Sequence, residues 1–405
     1  MAEVMGMEYL RKKLEQKKER VDLRYKFYDM KQLTRDFGIS TPPKLQYFQS
    51  CLGWCGKAVD SLADRLNFRE FQNDNLDMTG IFNMNNPDLI FDSAILSALI
   101  SSCSFVYVSA DNDGFPRLQV IDGANATGMV DTVTGLLDEG YAVLERDPET
   151  QNPTVEAYFD RERTVFYRKG EPFRVYKHNA GQTLLVPVIY RPDAKRPFGH
   201  SRISRAEMSL VGSAIRTIKR SEISAEFYSY PQKYISGTAE DADVLEKWQA
   251  TMATLLQFTK DEDGERPTVG QFQQASMGPH LDQLKMFASL FGGEAGLTLD
   301  DLGFPTANPS SAEALKSSHE MLRMTARKAQ KYFGSAFLNV GYVAACLRDD
   351  YPYRRNIVYL TKPKWDPVFE PDAAAMSAIG DSLLKLDQAV PGYVTEEKIR
   401  DLTGM

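Results

Sequence analysis

Residues 104–190 interrupt the hydrophobic period of the chain, and that interruption limits the folds open to it more than any other feature. On either side, apolar residues return every three or four positions, the period of an amphipathic helix. Inside the block, β-branched and aromatic residues come in short runs separated by turn residues, the pattern of antiparallel strands. Helices, then a block of strands, then helices again predict an α+β protein rather than a βαβ array. The strand candidates are Phe105–Val108, Leu118–Ile121, Gly140–Arg146, Thr154–Phe159, Arg163–Tyr167, Phe173–His178 and Leu184–Ile189. Asp111-Asn112-Asp113-Gly114 lies between the first two and reads as a hairpin turn. It resembles the start of a calcium loop, but the downstream glutamate such a loop requires is missing.

The flanking helices follow from spacing. Residues 1–36 read as a charge-laced helix or arm, with Tyr9, Leu10 and Leu14 against Arg11, Lys12, Lys13, Lys17 and Lys18. Phe48, Leu52, Cys55, Val59, Leu62 and Leu66 predict a helix over 43–66, and a second is expected over Asp88–Ser101. From Ser201 to Tyr230 the period predicts a helix roughly 40 Å long. Ile203, Leu210, Val211, Ala214, Ile215, Ile218 and Ala225 form its apolar side; Arg202, Arg205, Ser209, Arg216, Lys219 and Arg220 fall opposite. Lys233-Tyr234-Ile235 reads as a short strand and Asp241–Phe258 as a helix. Another helix opens at Pro279 and runs through Phe291. Gly292 to Pro309 reads as a loop. Ser310-Ser311-Ala312-Glu313 reads as a capping box for a helix that carries Leu315, Leu322, Ala326, Ala329 and Phe333 inward and ends near Gly334. Beyond Trp365 a connector with Pro367 and Pro371 leads to a last helix, then a turn and a short capped helix.

Composition narrows the function. With 405 residues, two or three folding units are expected. No run approaches the roughly 18 apolar residues of a membrane helix, and the first residues lack a signal-peptide core, so assembly in a cytoplasm is expected. Cys51, Cys55, Cys103 and Cys346 are too scattered for a disulfide framework; Cys51 and Cys55 read as buried thiols on one helix face. The net charge of −7 lacks the basic excess of a protein that grips DNA, and fits a surface along which DNA slides.

Catalytic signatures are missing from the sequence: there is no GxxxxGK[ST], no GxGxxG after a strand, no HExxH and no GxSxG. His178, His200, His280 and His319 are dispersed. No catalytic residue, cofactor or metal ligand is therefore expected, although Asp300-Asp301 and Asp349-Asp350 are acidic pairs. Lys316, Arg323, Arg327 and Lys331 recur on one helix face, either as a solvated face with cations near the helix C-terminus or as a stripe facing phosphate or a neighbouring subunit.

Four stretches resemble one family. Gly53 to Leu66 is similar to an early helix ending in V-D-x-x-x-x-R-L, here Val59-Asp60 through Arg65-Leu66. Val186-Pro187-Val188-Ile189-Tyr190 with Gly199-His200-Ser201-Arg202-Ile203 resembles a strand-to-helix junction, and Ala225 through Gly237 a helix end and following strand. Gly278 through Gly303, then Asn308-Pro309-Ser310-Ser311-Ala312-Glu313-Ala314, is the most specific match. Together they resemble the portal proteins of long-tailed bacteriophages, in that family's order.

The resemblance implies a portal-type fold with long stem helices, a mixed α/β wing, a small clip and a helical C-terminal crown. Its expected parts are a wing over 1–200, stem helices over 201–231 and 279–291, and a clip over 232–278. A tunnel loop over 292–309, a wing return over 310–365 and a crown over 366–405 complete it. Glu294, Thr298, Asp300, Asp301, Thr306 and Asn308 would face the channel. The partners it implies are eleven further copies in a dodecamer, double-stranded DNA held without sequence specificity, major capsid protein, scaffold protein, terminase large subunit and head–tail adaptor. No membrane is implied, and the expected location is the portal vertex of a virion. The rival readings are another virion or scaffold-like protein, or a soluble enzyme using the β block.

Overall fold

The computed structural model describes residues 5–35, 47–229, 233–236, 268–271, 276–305, 317–369 and 373–403, and these form an α+β protein. The chain divides into two units. The first comprises 1–32, 53–208 and 293–405; the second comprises 33–52 and 209–292.

The β block builds two antiparallel sheets of the first unit. One has the order β4-β5-β6-β7-β8, from Ala126–Val130, Leu137–Arg146, Pro153–Phe159, Arg163–Arg168 and Glu171–Lys177. The other is β3-β2-β9, from Pro116–Ile121, Cys103–Ala110 and Leu185–Ile189. All seven expected strands are present. The strand β4 was not expected, because Gly128 breaks its apolar run. Asp111, Asp131, Asp147, Asp160 and Asp193 each accept the N–H two residues on, at 2.8–3.0 Å, and so hold four turns of the block and the turn after β9 in shape.

Helix α1 (Gly6–Tyr28) lies on the five-stranded sheet, its Leu10 and Leu14 packed with Tyr141, Val143 and Tyr158. Two buried sheet carboxylates fix it. Glu139 accepts the N–H groups of Met5 and Gly6 at 2.9 and 3.0 Å, placing negative charge at the helix N-terminus. Glu156 takes a fork from Arg11 at 3.1 and 2.9 Å. Helix α2 covers only Trp54–Ala63, shorter than the expected 43–66. Gly53 is its cap, Phe48 and Cys51 are exposed, and 36–46 lie outside the described residues. Cys51 therefore departs from the buried-thiol reading that Cys55 fulfils. Helices α3 (Met78–Asn83) and α4 (Pro87–Ser101) follow, and α4 packs on β2.

Helix α5 spans Arg205–Ser229 and α6 spans Gly278–Ala295. Helix α7, Glu320–Arg348, continues fourteen residues beyond the expected cap at Gly334 and is buried along most of Phe333–Leu347. Gly334 lies inside the helix, where Pro363 and Trp365 of β12 (Lys362–Trp365) come close to it; β12 pairs with β1 (Phe68–Gln72). Phe68, Phe91, Phe337 and Trp365 cluster around that contact, mostly edge to face. Helices α8 (Ala373–Ala389) and α9 (Glu396–Thr403) match the expected last helices.

In the second unit, β10 (Lys233–Ser236) pairs antiparallel with β11 (Thr268–Gln271). Thr217 Oγ1 donates to Gln283 Oε1 at 3.1 Å, and Ser50 Oγ to Glu222 at 2.8 Å. The helix expected over Asp241–Phe258 and the capping box at 310–313 lie outside the described residues.

Candidate functional site

The expected tunnel loop begins later than its glycines suggested. Gly292, Gly293 and Glu294 belong to α6, whose end at Ala295 precedes a left-handed Gly296 at φ +65°. Two buried leucines, Leu297 and Leu302, anchor the turn that follows. Asp301 closes it. Its carboxylate accepts Thr298 N–H at 2.9 Å and Thr298 O–H at 2.8 Å, and Asp301 N–H returns to Thr298 Oγ1 at 3.2 Å. His319 Nδ1 stands 3.7 Å from the same carboxylate. Glu294 and Asp300 are exposed, whereas Asp301 is half-buried. The two acids of the Asp300-Asp301 pair thus differ in exposure, and the Asp301 carboxylate closes the local turn. Thr306 and Asn308 lie outside the described residues.

The basic stripe behaves similarly. Arg323 is forked onto Glu320 at 2.7 and 2.6 Å, while Arg327 and Lys331 are exposed, opposite the buried Leu322, Ala326 and Ala329. Lys316 lies outside the described residues.

The junction into α5 was misread from spacing. Arg202, expected on the polar face of a helix, precedes α5 and is buried; its guanidinium donates to Ala58 O at 3.2 Å and to Ala295 O. Ala295 ends α6, so a cation satisfies a carbonyl that the helix itself leaves open. Ser204 and Glu207 form a capping box, with Ser204 N–H on Glu207 Oε2 at 2.6 Å and Glu207 N–H on Ser204 Oγ at 3.1 Å. Burial raises the Glu207 pKa, against the opposing pull of Ser204 and Arg202. The signal was legible as S-x-x-E. Lys219, also assigned to the outer face, is buried.

Among the described residues, no cluster of three or more His, Cys, Asp or Glu side chains could hold a metal ion. Nor is any described helix long and apolar enough to cross a membrane.

No family model matches the chain. It is 21% identical over 334 residues to the portal protein of Mycobacterium phage L5, covering 77% of this chain and 68% of that protein. With the portal protein of Mycobacterium phage D29 it shares 21% identity over 333 residues, with the same two coverages. The portal resemblance read from the sequence is borne out by these relatives. Three solved chains align at 13% identity over 87% of this chain. One is from the virion of a native gene transfer agent particle, with 89% of that chain covered and a TM-score of 0.46. The second is from the neck of the native particle with C12 symmetry (89%, 0.47), and the third from the neck of the empty particle with C6 symmetry (90%, 0.48).

Proposed function

We propose that this chain is a phage portal subunit: a ring-forming structural protein at one capsid vertex, through which DNA is packaged and ejected. The similarity to two portal proteins over 77% of the chain carries the reading. Within it, α1–α4, the two sheets and α7 form the wing, and α5 and α6 are the stem helices. The β10–β11 strand pair lies between them in sequence and belongs to the clip. The stretch from Gly296 to Pro309 is the tunnel loop, with Glu294 just before it, and α8 and α9 are the crown. The ring is a homo-dodecamer whose heterologous interface repeats until it closes. Its partners are duplex DNA, major capsid protein, scaffold protein, terminase large subunit and head–tail adaptor, and its location is the virion.

The subunit is not an enzyme in this reading, and packaging is driven by a separate ATPase. Negative-stain images of concentrated protein should show annular particles, with light scattering giving a mass near twelve chains. A chain that stays monomeric at high concentration, and is absent from a single vertex of the particles, would sink the reading. ATP hydrolysis by the purified chain, abolished by one substitution, would remove its non-catalytic part.

A further inference from the structure

The net charge of −7 conceals a segregated basic cleft in the first unit. Its volume is about 540 Å³. Lys13, Lys17, Arg20 and Arg24 of α1 form one wall, and Arg196 and Arg205 stand on the other. No Asp or Glu among the described residues lines it. The four α1 cations recur at four-, three- and four-residue spacing, a row about 16 Å long at the helical rise of 1.5 Å per residue. Among the described residues, none of the six forms an ion pair.

Their side chains contact a carbonyl, a sulfur, an aromatic ring and an imidazole. Lys13 Nζ donates to Gly128 O at 2.8 Å, and Lys17 Nζ lies 3.0 Å from Cys103 Sγ. Both ammonium groups stand over the Phe198 ring, at 5.1 and 5.4 Å from its centroid. Arg196 touches His200 Nδ1 at 3.3 Å, and Asp193 is held by the other side of that imidazole at 2.6 Å. The second wall is fixed by Gly199, where φ is +70° and a β-carbon would come 2.0 Å from Tyr190 O. Burial lowers the pKa of Arg24 and of Lys13, and neighbouring cations lower them further: Arg20 and Arg196 act on Arg24, Lys17 on Lys13. These cations repel one another, and a bound polyanion relieves that repulsion.

We propose that this cleft binds the phosphate backbone of a nucleic-acid strand. Two kinds of polyanion could satisfy the charge, phosphodiesters and an acidic protein segment, and the lining favours the first. Protein interfaces bury a core depleted of charge and enriched in aromatic anchors. Here the half-buried aromatic ring of the lining is already covered by lysines. Interfaces with nucleic acid are polar and strongly positive, and guanidinium groups fork onto phosphate oxygens without reading sequence. The site is separate from the loop after α6 and from the stripe on α7, and the proposal does not require the ring.

The test is fluorescence anisotropy on the full chain, with labelled duplexes of about 25 base pairs and the matching single strands, between about 50 and 200 mM salt. Wild type and Arg20→Gln/Arg24→Gln/Arg196→Gln are compared at the same oligomeric state, checked by light scattering, and with matching circular dichroism. The wild-type chain should bind unrelated sequences equally. The log of its affinity should fall against log salt by about 0.9 per phosphate contacted. The triple variant should lose roughly tenfold or more in affinity and flatten that slope by about three. Arg→Lys at the same positions should restore the slope. Duplex and single-strand arms show which form of the backbone fits. Absence of DNA binding by wild type, or an affinity indifferent to the glutamine substitutions, overturns the proposal. So does a polyglutamate peptide of equal charge that displaces DNA at lower concentration, which assigns the cleft to an acidic protein segment. Loss of oligomerisation with unchanged DNA affinity makes it a subunit contact and overturns the proposal too.

Discussion

Gly334 in the middle of α7 lies so close to Pro363 of β12 that a β-carbon on it would come 2.6 Å from Pro363 Cγ and 3.2 Å from Trp365 Nε1. The glycine is there for close approach, not to end a helix. Gly334→Ala gains about 1 kcal/mol of helix propensity but forces apart a packed aromatic contact, which costs about 1–3 kcal/mol. A net destabilisation is expected in denaturant unfolding. Gly293 in the last turns of α6 is the control, since its added β-carbon meets nothing within 4 Å. Gly293→Ala should stabilise by up to about 1 kcal/mol. If Gly293→Ala destabilised instead, the extension of α6 to Ala295 would be in doubt.

The same two glycines show what the sequence could reveal. Period told strand from helix across 104–190 because sheet pleat and helix turn impose different repeats on apolar residues, and all seven expected strands exist. Boundaries failed where tertiary contact overrides propensity. Gly334 and Gly293 look alike in sequence, and the approach of Pro363 and Trp365 distinguishes them. The strand pair β1–β12 joins residues nearly three hundred positions apart, beyond the reach of any local pattern. The basic cleft was invisible for a related reason. Its walls come from α1 and from 196–205, and the acids elsewhere cancel its charge in the total.

Acid should weaken the β block through its turns. Backbone N–H donors hold the Asp111 and Asp147 carboxylates below their ordinary pKa, chiefly Phe115 for the first and Thr150 for the second. A depressed folded pKa means stability that is present above the unfolded value near 3.9 and is lost as pH falls through the folded one. Asp111→Asn and Asp147→Asn keep an acceptor oxygen but remove the charge. Each should lower the melting temperature at pH 7 and match wild type near pH 2. A difference between variant and wild type that is constant with pH would show that the charge plays no part.

The two neighbouring acids after α6 should separate on substitution. Asp301→Ala removes the acceptor that closes the turn on Thr298, and should cost about 1 kcal/mol in thermal unfolding. Glu294→Lys with Asp300→Lys changes exposed charge and should leave the unfolding free energy within about 0.5 kcal/mol of wild type. In the proposed ring the double lysine variant should assemble yet slow DNA passage, most at low salt, where phosphate attraction is least screened. Packaging at the wild-type rate at low salt would place these side chains away from DNA.

Arg202 and Glu207 offer the sharpest test of how α5 is set. Arg202 is buried, supplies donors to two carbonyls from separate helices, and lends positive charge to a Glu207 that burial pushes toward its protonated form. Arg202→Met keeps the bulk but orphans both carbonyls and removes the cation. Breaking a buried charge arrangement from one side costs about 3–5 kcal/mol. The pH dependence follows from the sign of the Glu207 shift. A carboxyl whose folded pKa is raised favours the native state most below its unfolded value near 4.3, and that contribution is lost as pH rises through the folded pKa. Without Arg202 the folded pKa rises further, so Arg202→Met should be costlier at pH 7 than at pH 4. Adding Glu207→Gln should then recover more of the loss at pH 7 than at pH 4, because a raised pKa leaves the glutamate more protonated at the lower pH. Denaturant unfolding of the four proteins at both pH values measures the coupling. Equal coupling at pH 4 and pH 7 would mean that the carbonyl hydrogen bonds, and not the charge on Glu207, account for the whole effect of Arg202.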